Sequence, residues 1–276
     1  MLLFIKKILP LFIICFFAAC NNTNKTDDID SDDIETSSVG IDSQQVSAQN
    51  VFNTLISRDE IVKLITQANA EYDPSLLSNP DAVSNYALEN IRALNFGVYG
   101  ADLIIASIYD QTQESMLYFK CVNIIAKSIG VANAFGENIG DRINANQSNR
   151  DSTLNIITQA FKNADNTLRS NNRPGVSSLL VAGAWVEGYY VACQTAKATN
   201  NEAIINAIFN QKESLNNLVE LLSASKLSND MQYITDGLKE IKGILDAKTD
   251  KDFSIKSIEA LDAKITSLRT TIISSK

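Results

Sequence analysis

Two stretches of this chain, Ala93 to Ile108 and Leu179 to Cys193, are apolar on nearly every side of a helix. Such helices belong inside a core, where other elements cover them all round. Both are rich in small residues: Gly97, Gly100 and Ala101 in the first, and Ala182, Gly183, Ala184 and Gly188 in the second. A glycine inside a helix costs up to about 1 kcal/mol relative to alanine. Four of them therefore call for close helix approach or a site.

The rest of the body reads as helix throughout. From about Gln49 to Lys276 apolar residues recur at three- and four-residue spacing, no run alternates with period two, and no Asn-Gly or Asp-Gly pair joins β-like segments. Prolines after the N-terminal region are confined to Pro74, Pro80 and Pro174, each at a place that reads as a helix boundary. The expectation is an all-α fold, a single bundle of about eight or nine helices over residues 49–276. These 228 or so residues are enough for one well-buried core. The breaks predict helices over Val51–Glu71, Asp81–Tyr109 with Asp81 as cap, Gln111–Ile129, a short one near Ala132–Phe135, and Ser152–Leu168 capped by Asp151. They continue with Pro174–Ala198, Glu202–Leu222, Asn229–Ala247 and Ser254–Ile273.

Two of these carry a strict seam. Met231, Ile234, Leu238, Ile241 and Leu245 step by three and four, as do Ile258, Leu261, Ile265, Leu268 and Ile272. Joined by the polar turn Lys248–Phe253, they read as an antiparallel, coiled-coil-like hairpin. Its seams close in cis or pair with another chain. A faint internal repeat places Gly97-Val98-Tyr99 on Gly183-Ala184-Trp185, and Ala106 on Ala192 at the same offset of 86 residues. It suggests two related helical hairpins facing each other, or a coincidence of glycine-aromatic pairs.

Each central helix carries one acid, Asp102 and Glu187, among residues that should be buried. A buried carboxyl group must be paired, hydrogen-bonded or protonated. With Tyr99, Trp185, Tyr189 and Tyr190 near them in sequence, the two acids form the candidate ligand-binding site: Tyr99, Asp102, Trp185, Glu187 and Tyr190 lining a polar pocket, with Arg92, Arg142 or Arg173 as counter-ions. The alternatives are an ion pair that sets packing register, and a carboxylate-based hydrolase. Glycoside cleavage would need the two carboxyl groups in one open cleft, roughly 5 to 9.5 Å apart.

Much other chemistry is excluded. The chain has no histidine, so no Ser-His-Asp triad, Cys-His dyad or His-ligated zinc or haem site can be built. No GxxxxGK(S/T), GxGxxG or EF-hand loop occurs. No metal, no cofactor and no catalytic residue is expected. Cys121 and Cys193 lie on apolar helical faces and read as a disulfide or as two buried free thiols. The acidic balance, 32 Asp and Glu against 24 Lys and Arg, argues against nucleic acid as a partner.

The N-terminus supplies an address. Lys6 and Lys7 precede an apolar run, Ile8 to Phe17, too short to span a bilayer, and Ala18-Ala19-Cys20 closes it. This resembles the lipobox of bacterial lipoproteins, with Phe17 in place of the preferred Leu. The resemblance implies a signal peptide over 1–19 and lipidation of Cys20 by acyl chains such as palmitate. More than one chain makes anchoring effectively permanent. Residues 20–48 follow as a tether, where Asp27, Asp28, Asp30, Asp32, Asp33 and Glu35 crowd among Ser, Thr and Asn with few large apolar residues. A coil of about 28 residues spans roughly 30 Å on average. The acidic run loosely resembles surface-export signals of Bacteroidetes-type lipoproteins. Helical envelope lipoproteins can also resemble the imelysin family, but its motif needs the histidine that this chain lacks. Lipobox, tether and the segment Ala93 to Asp102 together resemble uncharacterised all-helical lipoproteins of Bacteroidetes. The implied protein sits in the cell envelope, anchored by Cys20 to the outer membrane, with a helical module that binds a protein or small ligand or serves a structural role. Limited proteolysis should cut between Asn21 and Ala48 and leave a folded fragment beginning near residue 49. Strong protection of that stretch, read by mass spectrometry of the fragments, would sink the tether reading.

Overall fold

In a computed structural model of the chain, the described residues are 68–135, 138–146, 149–249 and 252–276, all within one unit of the chain, 38–276. The expected signal peptide, Cys20, the expected tether and all of the expected helix Val51–Glu71 before Ala68 lie outside them. Among the described residues there are nine α-helices and no strand, so the fold is all-α. The helices are α1 (Glu89–Ile108), α2 (Thr112–Ser128), α3 (Ile139–Ala145), α4 (Arg150–Ser170), α5 (Pro174–Thr199), α6 (Glu202–Phe209), α7 (Lys212–Ala224), α8 (Gln232–Asp246) and α9 (Ile255–Ser274).

The three prolines open elements, where a missing N–H costs nothing. Pro74 and Pro80 each start a 3-10 turn, Pro74–Leu76 and Pro80–Asn85, and Pro174 starts α5. Asp110, Asn172 and Asn200, which follow α1, α4 and α5, take left-handed backbone angles that short polar side chains tolerate. Some boundaries differ from the expectation. The stretch 81–109 is two elements, because Asn79 caps the 3-10 turn and Tyr86 then leaves helical geometry. The Tyr86 ring is buried, and its carbonyl accepts from Arg92 Nε at 2.9 Å. Helix α4 starts at Arg150 behind Asn149, whose side chain accepts from Ser152 N, and not behind Asp151. The run 202–222 breaks at Asn210–Gln211, which lets Phe209 stack on Phe253 at 4.2 Å and brings Lys212 to the Lys248 carbonyl at 2.7 Å.

Helices α1 and α5 are the centre. They pack on each other, α2 folds back along α1, and α9 packs across α5. Both are long and apolar enough to cross a membrane by composition alone, yet most of each is buried within the body. The matched glycines of the repeat meet here. A β-carbon on Gly97 would strike the Leu180 carbonyl and the Ala184 amide, and one on Gly183 would fall within the Leu94 carbonyl oxygen. Gly100 lies under the Phe161 ring. Nothing in the structure explains Gly188. Helices α8 and α9 form the expected antiparallel hairpin: Glu240 pairs with Lys264 while Gly237 lies against Leu268. Its seam residues are all buried, and the hairpin closes on itself and against α7 and α5.

The α1–α5 contact is the most extensive in the body, and α2, α4, α6, α7 and α9 pack on one or both of its members, so it should be intolerant of added volume. Gly183→Ala meets backbone that cannot swing aside, and overpacking of this kind costs about 1–3 kcal/mol or more. Chemical denaturation should show a loss at the top of that range, whereas Gly188→Ala, with nothing within 4 Å of its added carbon, should be neutral or stabilising.

Candidate functional site

Asp102 on α1 and Glu187 on α5 lie just beyond the glycine crossing, where the two backbones are held close. Both are 0% exposed. Glu187 receives two parallel hydrogen bonds from Arg269 of α9, Nε to Oε2 and Nη2 to Oε1, each 2.7 Å. This is the bidentate geometry that makes arginine a strong partner for a carboxylate. The Arg269 guanidinium also lies over the Tyr190 ring, 4.2 Å from its centre, a cation–π contact. Nη2 reaches further to the Leu76 carbonyl at 3.0 Å and Ser78 Oγ at 3.2 Å.

Asp102 is the second carboxyl group in a space with one cation. Its Oδ2 accepts from the Ser78 amide at 3.2 Å, and its side chain is hydrogen-bonded to Glu187. Oδ1 has no donor facing it, which leaves it as the atom to carry a proton. Burial first, and then the neighbouring Glu187 charge, push Asp102 well above the usual carboxylate range, against the smaller pull of Arg269 and the Ser78 amide. Burial raises Glu187 too, but the two bonds from Arg269 oppose it. The proton therefore belongs to Asp102, which donates to an ionised Glu187. Ser78, Asp102, Glu187 and Arg269 then form a closed ring of hydrogen bonds with no net charge, which is what a dry interior requires.

The tyrosines extend this ring outward. Tyr118 OH donates to the Ser78 carbonyl at 3.0 Å and Tyr99 OH to the Asn79 carbonyl at 2.8 Å. Burial raises both phenols well above the usual tyrosine range, so they remain donors. Cys121 Sγ lies 3.5 Å from the Pro80 carbonyl. Cys121 and Cys193 are free. Burial pushes Cys121 up to about 11, and Cys193 is raised as well, so both are protonated and unreactive.

Of the five expected site residues, the structure brings four to this cluster: Tyr99, Asp102, Glu187 and Tyr190. Trp185 is elsewhere. Two residues from Glu187 on a helix, it points about 200° away around the axis, and it stacks on Tyr189 at 4.5 Å. Arg92, Arg142 and Arg173 are not the counter-ions. Arg92 binds the Tyr86 carbonyl, Arg173 binds Glu89 and the Ile129 carbonyl, and Arg142 is exposed. Arg269, Ser78 and Tyr118 were missed. No sequence pattern singles out Arg269; in the fold it lies seven residues after Asp262, and Glu187 and Gln194 on α5 have the same spacing. Gln194 and Lys197 bind Asp262 as Arg269 binds Glu187. A second buried ion pair, Asp165 with Arg169, joins α4 to Ser177 of α5. Among the described residues no group of acids and thiols could hold a metal ion. A shallow cleft, open to solvent, is lined by Ser107, Asp110, Arg150 and Thr153, and neither central acid reaches it.

The ring makes a pH-dependent contribution. Asp102 ionises near 3.8 in an unfolded chain and well above that in the folded one. Between those values the folded state holds one proton more, and stability falls as pH rises. Asp102→Asn keeps an acceptor for Ser78 and a donor for Glu187 but cannot ionise. Its melting temperature relative to the parent should climb as pH goes from 4 to 7, and a flat difference would show that Asp102 carries no extra proton. Glu187→Ala breaks the bidentate bond to Arg269 and leaves only ionisation of Asp102 to balance its charge, so a loss of up to about 3–5 kcal/mol is readable in the same melts. Set against family models, curated proteins and solved structures, the chain finds no match.

Proposed function

We propose that this is a lipid-anchored protein of the cell envelope, held at the outer membrane through Cys20, whose helical body is a non-enzymatic binding or structural module. The observation that carries the non-enzymatic part is the complete burial of Asp102 and Glu187, neutralised by Arg269 and covered by residues 76–80. A hydrolase built on this pair needs both carboxyl groups open to substrate and water. Their geometry instead matches a polar network that fixes the register of three helices. The anchor rests on Lys6, Lys7, the apolar run and Ala18-Ala19-Cys20. The long acidic tether gives the body room to stand clear of the lipid head groups.

The anchor is tested by Cys20→Ser, which should move the protein from the membrane pellet to the soluble fraction. If the substituted protein still sediments with membranes after a salt wash, lipidation is not what holds it there.

A further inference from the structure

The segment that covers the acid cluster is bound differently from the rest of the body. From Leu76 to Pro80 the helices grip mainly main-chain atoms. Arg269 binds the Leu76 carbonyl, Tyr118 the Ser78 carbonyl, Tyr99 the Asn79 carbonyl and Cys121 the Pro80 carbonyl, while Asp102 takes the Ser78 amide. Among the side chains, the Ser78 hydroxyl binds Arg269, Leu77 is buried, and Leu76 and Pro80 are half-buried. Leu77 and Asn79 are extended, between two 3-10 turns. Asp73, Pro74 and Ser75 before them, and Asn79 and Asp81 after, are exposed. A short strap held mainly by main-chain polar bonds, with one fully buried leucine, opens more readily than a packed helix.

If it lifts, the groups beneath it are already placed. Tyr99, Tyr118, Cys121 and Arg269 present donors, and Asp102 an acceptor, to the carbonyls of Leu76, Ser78, Asn79 and Pro80 and the amide of Ser78. We propose that this is a peptide-backbone groove, filled in cis by residues 76–80. Once the strap is released it takes an extended peptide in which a small hydroxyl residue follows an apolar one. Main-chain bonds supply sequence-tolerant affinity in such sites, and the two side-chain positions supply selection. The proposal deepens the reading of the body as a binding module and rests on it.

Two measurements on the full-length chain test it. In hydrogen exchange, the Ser78 amide should exchange at least tenfold faster than central amides of α1, with a rate that hardly changes in low urea. In the second, Leu77→Ser with Ser78→Pro removes the apolar anchor, the amide and the hydroxyl. This variant should bind a labelled synthetic peptide of residues 72–84 at least tenfold more tightly than the parent does, by fluorescence polarisation. Adding Arg269→Lys should weaken that binding. The groove is overturned if Ser78 exchanges at the rate and urea dependence of α1, or if the folded double variant binds no peptide. Should the double variant not fold, exchange in the parent alone decides. Membrane release of Cys20→Ser is independent of both results, so the anchor and the groove stand or fall separately.

Discussion

Among the described residues, the guanidinium of Arg269 is the cation that binds Glu187, one of a pair of carboxyl groups that the fold has taken out of water. Removing an ion from water costs several kcal/mol even after the protein relaxes. Two acids and one base can share a dry site only if the second acid keeps its proton. That condition ties together parts of the molecule with little else in common: α1 through Asp102, α5 through Glu187, α9 through Arg269 and the irregular segment at Ser78. The glycine crossing makes the condition strict. Because Gly97 and Gly183 bring the backbones together, the acids just beyond them cannot separate.

Much of the architecture could be read from periodicity. The seams Met231 to Leu245 and Ile258 to Ile272 are buried as spaced, because a three-four step puts every member on one stripe whatever lies opposite. Pro74, Pro80 and Pro174 marked real starts, because the constraint on φ is local. The break at Asn210–Gln211 was hidden because buried residues continue on both sides of it, from Ile204 to Phe209 and from Leu215 to Leu222, with no glycine or proline between. The break accompanies a stack of Phe209 on the distant ring of Phe253, a contact that no local pattern shows. The short α3 was hidden in turn by a polar, glycine-containing sequence that buries only Ile139 and Ile143.

At the cluster, the acids were legible and their partner was not. An acid in an all-apolar helix stands out, since nothing in its surroundings accounts for it. Arginine on a surface-type helix does not, and Arg269 has hydroxyl neighbours, Thr266, Ser267, Thr270 and Thr271, like those of an exposed position. Only contact with α5 turns it inward. The Ser78 ties were hidden for a different reason: most use main-chain atoms, which every residue has. Trp185 shows the opposite error, where nearness along the chain concealed a position on the far side of the helix.

The ring also carries a consequence for the order in which the chain folds. Arg269 and Ser78 are 191 residues apart, and Arg269 lies 82 residues beyond Glu187. Contacts so distant in sequence form late, after the entropy of closing the intervening loops has been met. A chain emerging from its N-terminus therefore builds α1 and α5 long before their counter-charge exists. Until the last helix arrives, both acids must stay hydrated or protonated, and the central pair cannot close dry. A chain ending short of Arg269 therefore lacks Ile272 of the α9 seam as well as the charge that lets the central pair close dry.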